Sequence, residues 1–417
     1  METGRRLSRK ERLFDCYAAN LSACRREYTE SFACPLCLRL FDRDALAARD
    51  VTEEHIVPSS LGGRMVTLTC RECNCTAGSG LESHLVRRLE RDDFVAGIST
   101  KPLLARVSIG QGEIAGEVHR YPDRIELHGI PEMSKPELHA LAVSSLRSGV
   151  LPPDMSLRLP LGFKGLPSWI AVLRMGYLLA FCYFGYGYIM HPNVAQVRDQ
   201  IKRPDAATTS VEAVRCVEQW PYVGNLLGLL YAPSRLRCFF AVLELSTDVV
   251  RHYGVVLPGL DAQSRDIYNR WGESAGAVAE LQPKAVFLPL DPDRVCDPNK
   301  ADFASRFWRT WTKPLLTWAG RSEFHYDGSV DTDTTIWYGS KLYHTRVTGQ
   351  EYGRLLQRFA GRTVVLGTSR EPPPGSVGAW LQARVTKRAI ASYVGPILVH
   401  EGYAERVPSN TTKIRFN

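Results

Sequence analysis

Hydrophobic positions recur with a helical period in two N-terminal stretches of the chain. The first helix, predicted over residues 8–28, begins at a capping-box pair, Ser8 and Glu11. Its apolar stripe consists of Phe14, Tyr17, Ala18 and Leu21. The second helix is predicted within residues 78–97, where Leu81, Leu85 and Leu89 share one face. Both patterns indicate helices that bury one side and expose the other.

Further along the chain, strand and helix periods alternate. Residues 103–129 alternate apolar and polar positions around Gly and Pro-Asp turns, which predicts an antiparallel hairpin or meander. Helical patterns follow in residues 134–149, 167–190 and 192–202, and a last helix is predicted over residues 379–395. Short β-rich runs separated by Pro, Ser and Asp occupy residues 225–233, 236–245 and 252–260. This mixture indicates an α+β fold with antiparallel sheet.

The length of the chain predicts more than one domain. A chain of 417 residues exceeds what one hydrophobic core usually supports, so we expect about two to three domains. The predicted regions are residues 1–98 with the N-terminal helix, residues 99–285 as an α+β domain, and residues 286–417 as an aromatic-rich C-terminal region. The aromatic residues of the third region could stack single-stranded bases, although aromatic cores and protein interfaces are commoner.

Composition narrows the class of protein. Hydrophobic residues make up 44% and charged residues 23%, which is typical of a globular protein. The net charge is +8, and residues 1–100 hold 15 basic and 15 acidic side chains, so the excess lies beyond them. Such a balance is compatible with a polyanionic partner without requiring one. Residues 175–190 are too short an apolar run to span a bilayer, which needs roughly 20 residues, so we expect a buried helix and no membrane association.

Four cysteines form two Cys-x-x-Cys pairs, Cys34 with Cys37 and Cys70 with Cys73. Two such pairs can hold one tetrahedral zinc ion, and disulfides are the alternative. Eleven cysteines are too few for a disulfide scaffold of this length, and the N-terminus has no apolar leader, so we expect a reducing cytoplasm and favour zinc. Cys75 is expected to be a bystander.

The residues between and after the two pairs predict hydrolytic chemistry. A zinc ion on four thiolates has no open position, so it is structural, and it folds the intervening chain back on itself. The hairpin would bring Glu54 and His55 near Asn74. A carboxylate and an amide oxygen suit Mg²⁺, and a histidine beside them can remove a proton from water. Such a group of residues suits hydrolysis of a phosphodiester.

The sequence around these residues also resembles that of a known protein family. The segments EHIVPSSLGG and LTCRECNCTAGSGLESHL resemble the prokaryotic HNH endonucleases whose ββα-metal core is stabilised by a zinc ribbon. The resemblance covers roughly residues 30–90. It implies that Glu54 is an acidic metal ligand, His55 the general base and Asn74 a second ligand of a catalytic Mg²⁺ or Mn²⁺. It also implies a structural Zn²⁺ on Cys34, Cys37, Cys70 and Cys73.

One feature departs from the family pattern. Many members have a central Asn in the second strand that orients the base, whereas residues 64–69 here contain none. Thr67 or a backbone carbonyl could orient the imidazole instead, and Arg64 could meet the scissile phosphate. Glu82 and His84 either line the metal site or lie on a helix surface. Glu53 is expected to face solvent, because side chains alternate along a strand.

The leading hypothesis is a DNA endonuclease that acts in an anti-phage or restriction system. One alternative is a zinc-ribbon module that binds nucleic acid without cutting it. Another is an effector subunit of a multi-protein complex, such as one with a short Argonaute.

The C-terminal region is assigned to targeting, sensing or docking of a partner protein or activating ligand. HNH cores usually cut one strand, so a double-strand break would need two sites, and a homodimer is therefore a further expectation.

Overall fold

The computed structural model describes the chain over residues 7–99, 101–109, 112–121, 123–148, 154–159, 162–206, 214–217, 221–274, 284–288, 301–311, 314–339 and 343–417. The backbone divides into two compact units, residues 1–301 and residues 302–417. Both contain helices and antiparallel sheets, so the predicted α+β class is confirmed. The predicted domain boundaries after residues 98 and 285 stay predictions.

The first unit begins with a helix, two small hairpins with a short helix between them, and two helices that follow. These elements are α1 (Arg9–Cys24), β1 (Phe32–Ala33), β2 (Leu40–Phe41), α2 (Asp44–Ala47), β3 (Val51–His55), β4 (Val66–Cys70), α3 (Arg71–Ala77) and α4 (Ser83–Val95). A π-helical turn, Gly78–Glu82, joins α3 to α4. Strands β1 and β2 pair with each other, as do β3 and β4.

Helix α1 begins where the sequence predicts, and it ends earlier. Ser8 and Glu11 form the capping box in both directions, and Arg25 leaves the helix with an extended backbone. The predicted end at residue 28 is therefore wrong. Leu21 is the last buried apolar residue of the stripe, so residues beyond it have no apolar face to pack.

The rest of the first unit contains two antiparallel sheets and a group of helices. Its elements are β5 (Leu103–Ile109), β6 (Gly112–Arg120), β7 (Ile125–Gly129), α5 (Pro136–Arg147), β8 (Ser156–Arg158), α6 (Gly165–Phe184), α7 (Tyr186–Ile189), α8 (Pro192–Lys202), β9 (Val214–Val217), β10 (Leu226–Ala232), β11 (Cys238–Ser246), β12 (Val250–Leu257), α9 (Ile267–Ser274) and β13 (Lys284–Leu288). The strand orders are β7-β6-β5-β8 and β13-β10-β11-β12-β9. The predicted meander of residues 103–129 is thus confirmed.

Helix α6 is the central helix of this unit. Among the described residues it is the helix long and apolar enough to cross a membrane, but 83% of its most apolar window is buried inside the protein. The helix predicted over residues 167–190 is interrupted at Gly185, whose φ of +61° ends α6. A side chain at this position would approach the Asn20 amide to 2.3 Å, so glycine is required both by conformation and by space.

The second unit packs helices on two antiparallel sheets. Its elements are α10 (Phe303–Thr310), β14 (Leu315–Leu316), β15 (Glu323–Gly328), β16 (Asp333–Tyr338), β17 (Tyr343–Thr348), α11 (Gly349–Phe359), β18 (Thr363–Val365), α12 (Val377–Arg384), α13 (Ala391–His400), β19 (Ala404–Arg406) and β20 (Lys413–Phe416). The strand orders are β14-β15-β16-β17 and β18-β20-β19. The last helix, predicted as one element, is two helices, α12 and α13, that are separated by the polar run around Lys387 and Arg388.

Candidate functional site

The four predicted zinc ligands lie together. Cys34 and Cys37 come from the β1–β2 hairpin, while Cys70 ends β4 and Cys73 lies in the first turn of α3. The four sulfur atoms all lie within 4.8 Å of one another. Four thiolates at such separations fit one tetrahedral zinc ion. Cys75 is exposed and lies outside this group.

Arg39 lies beside the cysteine cluster and favours its ionised form. Its Nη2 is 3.4 Å from the Cys70 sulfur and 2.7 Å from Glu72 Oε2. Hydrogen bonding from Cys34 first of all lowers the pKa of Cys70 to about 6, and hydrogen bonds within the same group lower the pKa of Cys37 and raise those of Cys34 and Cys73. Thiolates rather than thiols bind zinc, and the Arg39 guanidinium favours a thiolate at Cys70.

The β3–β4 hairpin carries the predicted catalytic residues. Its register pairs Val51 with Cys70 at one end and His55 with Val66 at the other, so the hairpin begins at the cysteine cluster. The connection contains Gly62, with a φ of +86°, and Gly63, where a Cβ atom would lie 1.7 Å from the Val57 carbonyl oxygen. The Gly-Gly turn is therefore required for the chain to return along β4.

Asn74 attaches helix α3 to strand β3. Its Nδ2 donates to Thr52 Oγ1 and to the Glu53 carbonyl oxygen, both at 3.0 Å. A carbonyl can only accept, so the amide nitrogen must face it and Oδ1 must be turned away from it. The oxygen of Asn74 is consequently the atom oriented to accept a hydrogen bond or to coordinate a cation.

Glu54 and His55 differ in exposure although they are adjacent. The Glu54 side chain is 4% exposed, whereas His55 and Glu53 are exposed to solvent. The prediction that Glu53 faces solvent is confirmed. The hairpin thus brings the backbones of Glu54, His55 and Asn74 together, while the Glu54 carboxylate points toward the interior of the unit.

A buried arginine on α6 contacts the predicted site. Arg174 Nη2 lies 2.8 Å from Glu54 Oε1, and Arg174 Nη1 lies 2.7 Å from Glu82 Oε1. The Arg174 side chain is fully buried, and that of Glu82 is 16% exposed. Sequence reasoning missed Arg174, and the available signal was a single cationic residue within an apolar helix, which is rare without a paired acid.

Burial and the shared guanidinium of Arg174 change the pKa values of both carboxylates. Burial raises the pKa of Glu54 to about 6, and the charge of Arg174 opposes this rise. Burial also raises the pKa of Glu82, and Arg174 and His55 both act to lower it. Two ionised carboxylates beside one guanidinium leave one negative charge uncompensated, and Glu54 Oε2 makes no hydrogen bond. These features fit an additional cation close to Glu54.

The other predicted residues occupy different environments. The Thr67 hydroxyl lies in the core 2.7 Å from the Tyr17 hydroxyl, so its hydrogen bond goes to Tyr17. His84 Nδ1 accepts a hydrogen bond of 3.2 Å from the Lys164 backbone N–H. Arg64 is exposed near the Gly-Gly turn. Among the four secondary candidates, Glu82 is the one joined to Glu54 through a common partner.

Comparison with known proteins agrees with this geometry. Residues 34–90 match a protein family described as HNH endonuclease. No curated protein and no solved structure matches the chain. The match begins at the first zinc ligand and ends within α4, so it contains every predicted catalytic and zinc-binding residue. It supports a nuclease that uses a divalent metal and acts on DNA.

Proposed function

We propose that the protein is a cytoplasmic, metal-dependent endonuclease that hydrolyses phosphodiester bonds in DNA. One observation carries the proposal: within the HNH-like segment, the Glu54–His55 end of β3 is tied to the first turn of α3 through the hydrogen bond of Asn74 to Glu53. The strand that carries the carboxylate and the imidazole is thereby tied to the helix that carries the amide, next to the cysteine cluster.

In this proposal His55 is the general base. Its side chain is exposed at the end of β3, where water and a nucleic-acid backbone can reach it. The neutral imidazole takes a proton from water, and the oxygen of that water attacks the phosphorus atom as the bond to the leaving oxygen breaks. The charge of His55 acts to lower the pKa of Glu82, so the two side chains lie near each other.

Glu54 and Asn74 would hold the divalent cation, Mg²⁺ or Mn²⁺. The unpaired Oε2 of Glu54 and the Oδ1 of Asn74 are hard oxygen donors of the kind that these ions prefer. When bound, the cation supplies charge stabilisation to the phosphate and the leaving oxygen. Zn²⁺ is assigned to the four cysteines, which offer no oxygen donor and leave no open position.

Arg174 keeps Glu54 oriented from the interior. Its guanidinium lies 2.8 Å from Glu54 Oε1 and favours the ionised carboxylate against the effect of burial. Arg174 also contacts Glu82, and it thereby holds the Glu82 carboxylate near His55. Arg174 itself is fully buried and therefore acts through these carboxylates rather than on the substrate.

Cleavage of supercoiled plasmid tests the proposal. The wild type, His55→Ala and Glu53→Ala are compared in Mg²⁺ and in Mn²⁺, with Glu53 as the exposed neighbour on the same strand. Removal of a general base typically costs about 10²- to 10⁴-fold in rate, whereas Glu53→Ala should cut like the wild type. Equal cleavage by wild type and His55→Ala would exclude this role of His55.

A second candidate function is a zinc-ribbon module that binds nucleic acid without cutting it. The observation in its favour is that Arg174 already neutralises the Glu54 carboxylate, and strand β4 has no Asn to orient His55. Tight DNA binding without turnover in any divalent metal would select this function over the nuclease.

We place the nuclease in a prokaryotic anti-phage or restriction system, either alone, as a homodimer, or as the effector of a multi-protein complex such as one with a short Argonaute. Purification from native cells, with identification of bound nucleic acids and co-eluting proteins, distinguishes these arrangements. Strong cleavage by the isolated chain would count against a system that needs an activator.

A further inference from the structure

The positive charge of the chain is concentrated in its second unit. Residues 302–417 contain 16 Lys and Arg and 9 Asp and Glu, a net charge of +7 out of the +8 of the whole chain. Many of these residues are exposed arginines. A unit of this size with such an excess attracts polyanions over a distance of about a Debye length, roughly 8 Å at physiological salt.

One cavity in this unit combines cationic and aromatic side chains, and we call it the Tyr–Arg pocket. Its volume is about 560 Å³. Its lining consists of Tyr338, Tyr343, Tyr393, Arg370, Lys387, Arg388, Ala389 and Ile390. Among the described residues, no acidic side chain lines it. The three cationic side chains are exposed, so their charges are available at the mouth of the cavity.

Packing holds the aromatic wall of the Tyr–Arg pocket in place. The rings of Tyr338 and Tyr393 stack with centroids 4.5 Å apart and an interplanar angle of 21°. The Tyr338 hydroxyl lies 2.9 Å from Thr345 Oγ1, which fixes its direction. Phe324 supports Tyr393 from the core with an edge contact of 5.2 Å between centroids. The wall is thus held by contacts within the protein, which lowers the cost of ordering it around a ligand.

The remaining tyrosine is available to a ligand. Tyr343 is 49% exposed, and its ring lies 6.5 Å from that of Tyr338. Arg388 spans the two rings, because its Nη1 is 3.2 Å from the Tyr338 hydroxyl and its Cζ is 5.5 Å from the Tyr343 ring centroid. An exposed aromatic ring beside fixed guanidinium groups can stack a planar base and bind its phosphate.

We propose that the Tyr–Arg pocket binds a nucleotide unit, with the base stacked on Tyr343 and the phosphate on Arg370, Lys387 and Arg388. The cavity volume lies within the range of about 300–1,000 Å³ of small-ligand sites. The nucleotide comes either from single-stranded nucleic acid or from a free nucleotide. Duplex DNA offers no exposed base face, so it would bind more weakly here than a single strand.

Binding of fluorescent oligonucleotides tests this proposal without depending on the proposed nuclease. The full-length chain carries His55→Ala so that the probe stays intact, and anisotropy is measured with oligothymidylate and with a duplex. Tyr343→Ala should weaken binding of the single strand about 5- to 100-fold, the range expected for loss of one stacked base. Tyr343→Phe keeps the stacking surface and should bind like the parent.

Charge and ligand source are tested in the same assay. The double variant Lys387→Ala/Arg388→Ala should also weaken binding, whereas Arg354→Ala removes an exposed arginine on α11 outside the pocket and should not. Competition by millimolar thymidine or adenosine monophosphate against the oligonucleotide would identify a free nucleotide as a sufficient ligand. Its failure to compete would identify the single strand as the source.

Several results would overturn the proposal. These are no binding of oligonucleotide or mononucleotide by the parent, equal binding of Tyr343→Ala and the parent, or preference for the duplex. Plasmid cleavage by the chain without His55→Ala is a separate readout, so failure of the pocket and failure of the nuclease are distinguishable.

Discussion

The two units of the chain use charge in opposite ways. In residues 1–301, 36 basic side chains nearly balance 35 acidic ones, and among the described residues the buried Glu54, Asp93 and Arg174 each face an opposite charge. Arg174 contacts Glu54 and Glu82, and Asp93 pairs with Arg251. In residues 302–417 three exposed cations, Arg370, Lys387 and Arg388, line an aromatic cavity. In the first unit, buried ion pairs hold the residues around Glu54 in place. In the second unit, exposed cations around the Tyr–Arg pocket are available to an anionic ligand.

The largest effect is expected from loss of zinc. The double variant Cys34→Ser/Cys70→Ser removes one ligand from each pair, and the β1–β2 and β3–β4 hairpins should lose their folded structure. Structural zinc contributes about 10–16 kcal/mol in zinc-finger peptides, so little of the N-terminal segment should survive. Zinc content and limited proteolysis measure the outcome. Cys75→Ser is the matched control, and a full complement of zinc in the double variant would contradict the assignment.

Removal of the buried guanidinium should have the next largest effect. Arg174→Met leaves Glu54 and Glu82 without their counter-charge, which should destabilise the first unit by about 3–5 kcal/mol. Chemical denaturation measures the change. Glu54→Gln and Glu82→Gln, added to Arg174→Met, should restore part of the loss, since the repulsion is then removed. An unchanged unfolding midpoint for Arg174→Met would show that the guanidinium does not balance these carboxylates.

The stability of the first unit should depend on pH through the buried Glu54. Because Glu54 has a folded pKa raised from 4.5 to about 6, it binds its proton more tightly in the folded state. Its contribution is fully present below pH 4.5 and is lost as the pH rises through 6, a decrease of about 2 kcal/mol. Denaturation between pH 4 and 7 of protein that keeps its zinc, in the absence of Mg²⁺ and Mn²⁺, measures this slope. The Glu54→Gln variant should show a shallower slope, and equal slopes would refute the linkage.

The smallest expected effect is a change in how strongly oligonucleotide binding by the second unit depends on salt. Each phosphate contact in a single strand contributes about 0.7 to the slope of log affinity against log salt. Lys387→Ala/Arg388→Ala should therefore reduce that slope by about 1.4, and Arg354→Ala should leave it unchanged. Anisotropy titrations at several salt concentrations provide the measurement. An unaltered slope in the double variant would remove these two residues from phosphate binding.

Local features of the structure could be predicted from the sequence. The two Cys-x-x-Cys pairs converge because each pair forms its own short turn, and the Gly62–Gly63 turn sets the return of β4. The capping box at Ser8 and the strand alternation that exposes Glu53 depend on neighbouring residues alone. Short-range geometry of this kind is encoded within a few positions of the chain.

Features that depend on tertiary packing could not be predicted in the same way. The contact of Arg174 with Glu54 joins residues on α6 and β3 and has no local pattern. The break at Gly185 lies against α1, where Asn20 Oδ1 accepts a hydrogen bond from the Tyr186 backbone N–H and leaves no room for a side chain at Gly185. The sequence offers Thr67 as a partner of His55, yet its hydroxyl meets Tyr17, because α1 packs over the buried face of β4. Each case is decided by a distant element of the fold.

The position of Arg174 limits how this nuclease segment can be transplanted. A fragment cut after residue 98 would keep the zinc cluster and His55 but lose the guanidinium that faces Glu54 and Glu82. The two acids would then repel each other across a newly exposed apolar surface, once covered by α6. An engineer who wishes to graft this hairpin onto another protein must therefore supply a replacement cation, or carry Gly165–Phe184 along with it.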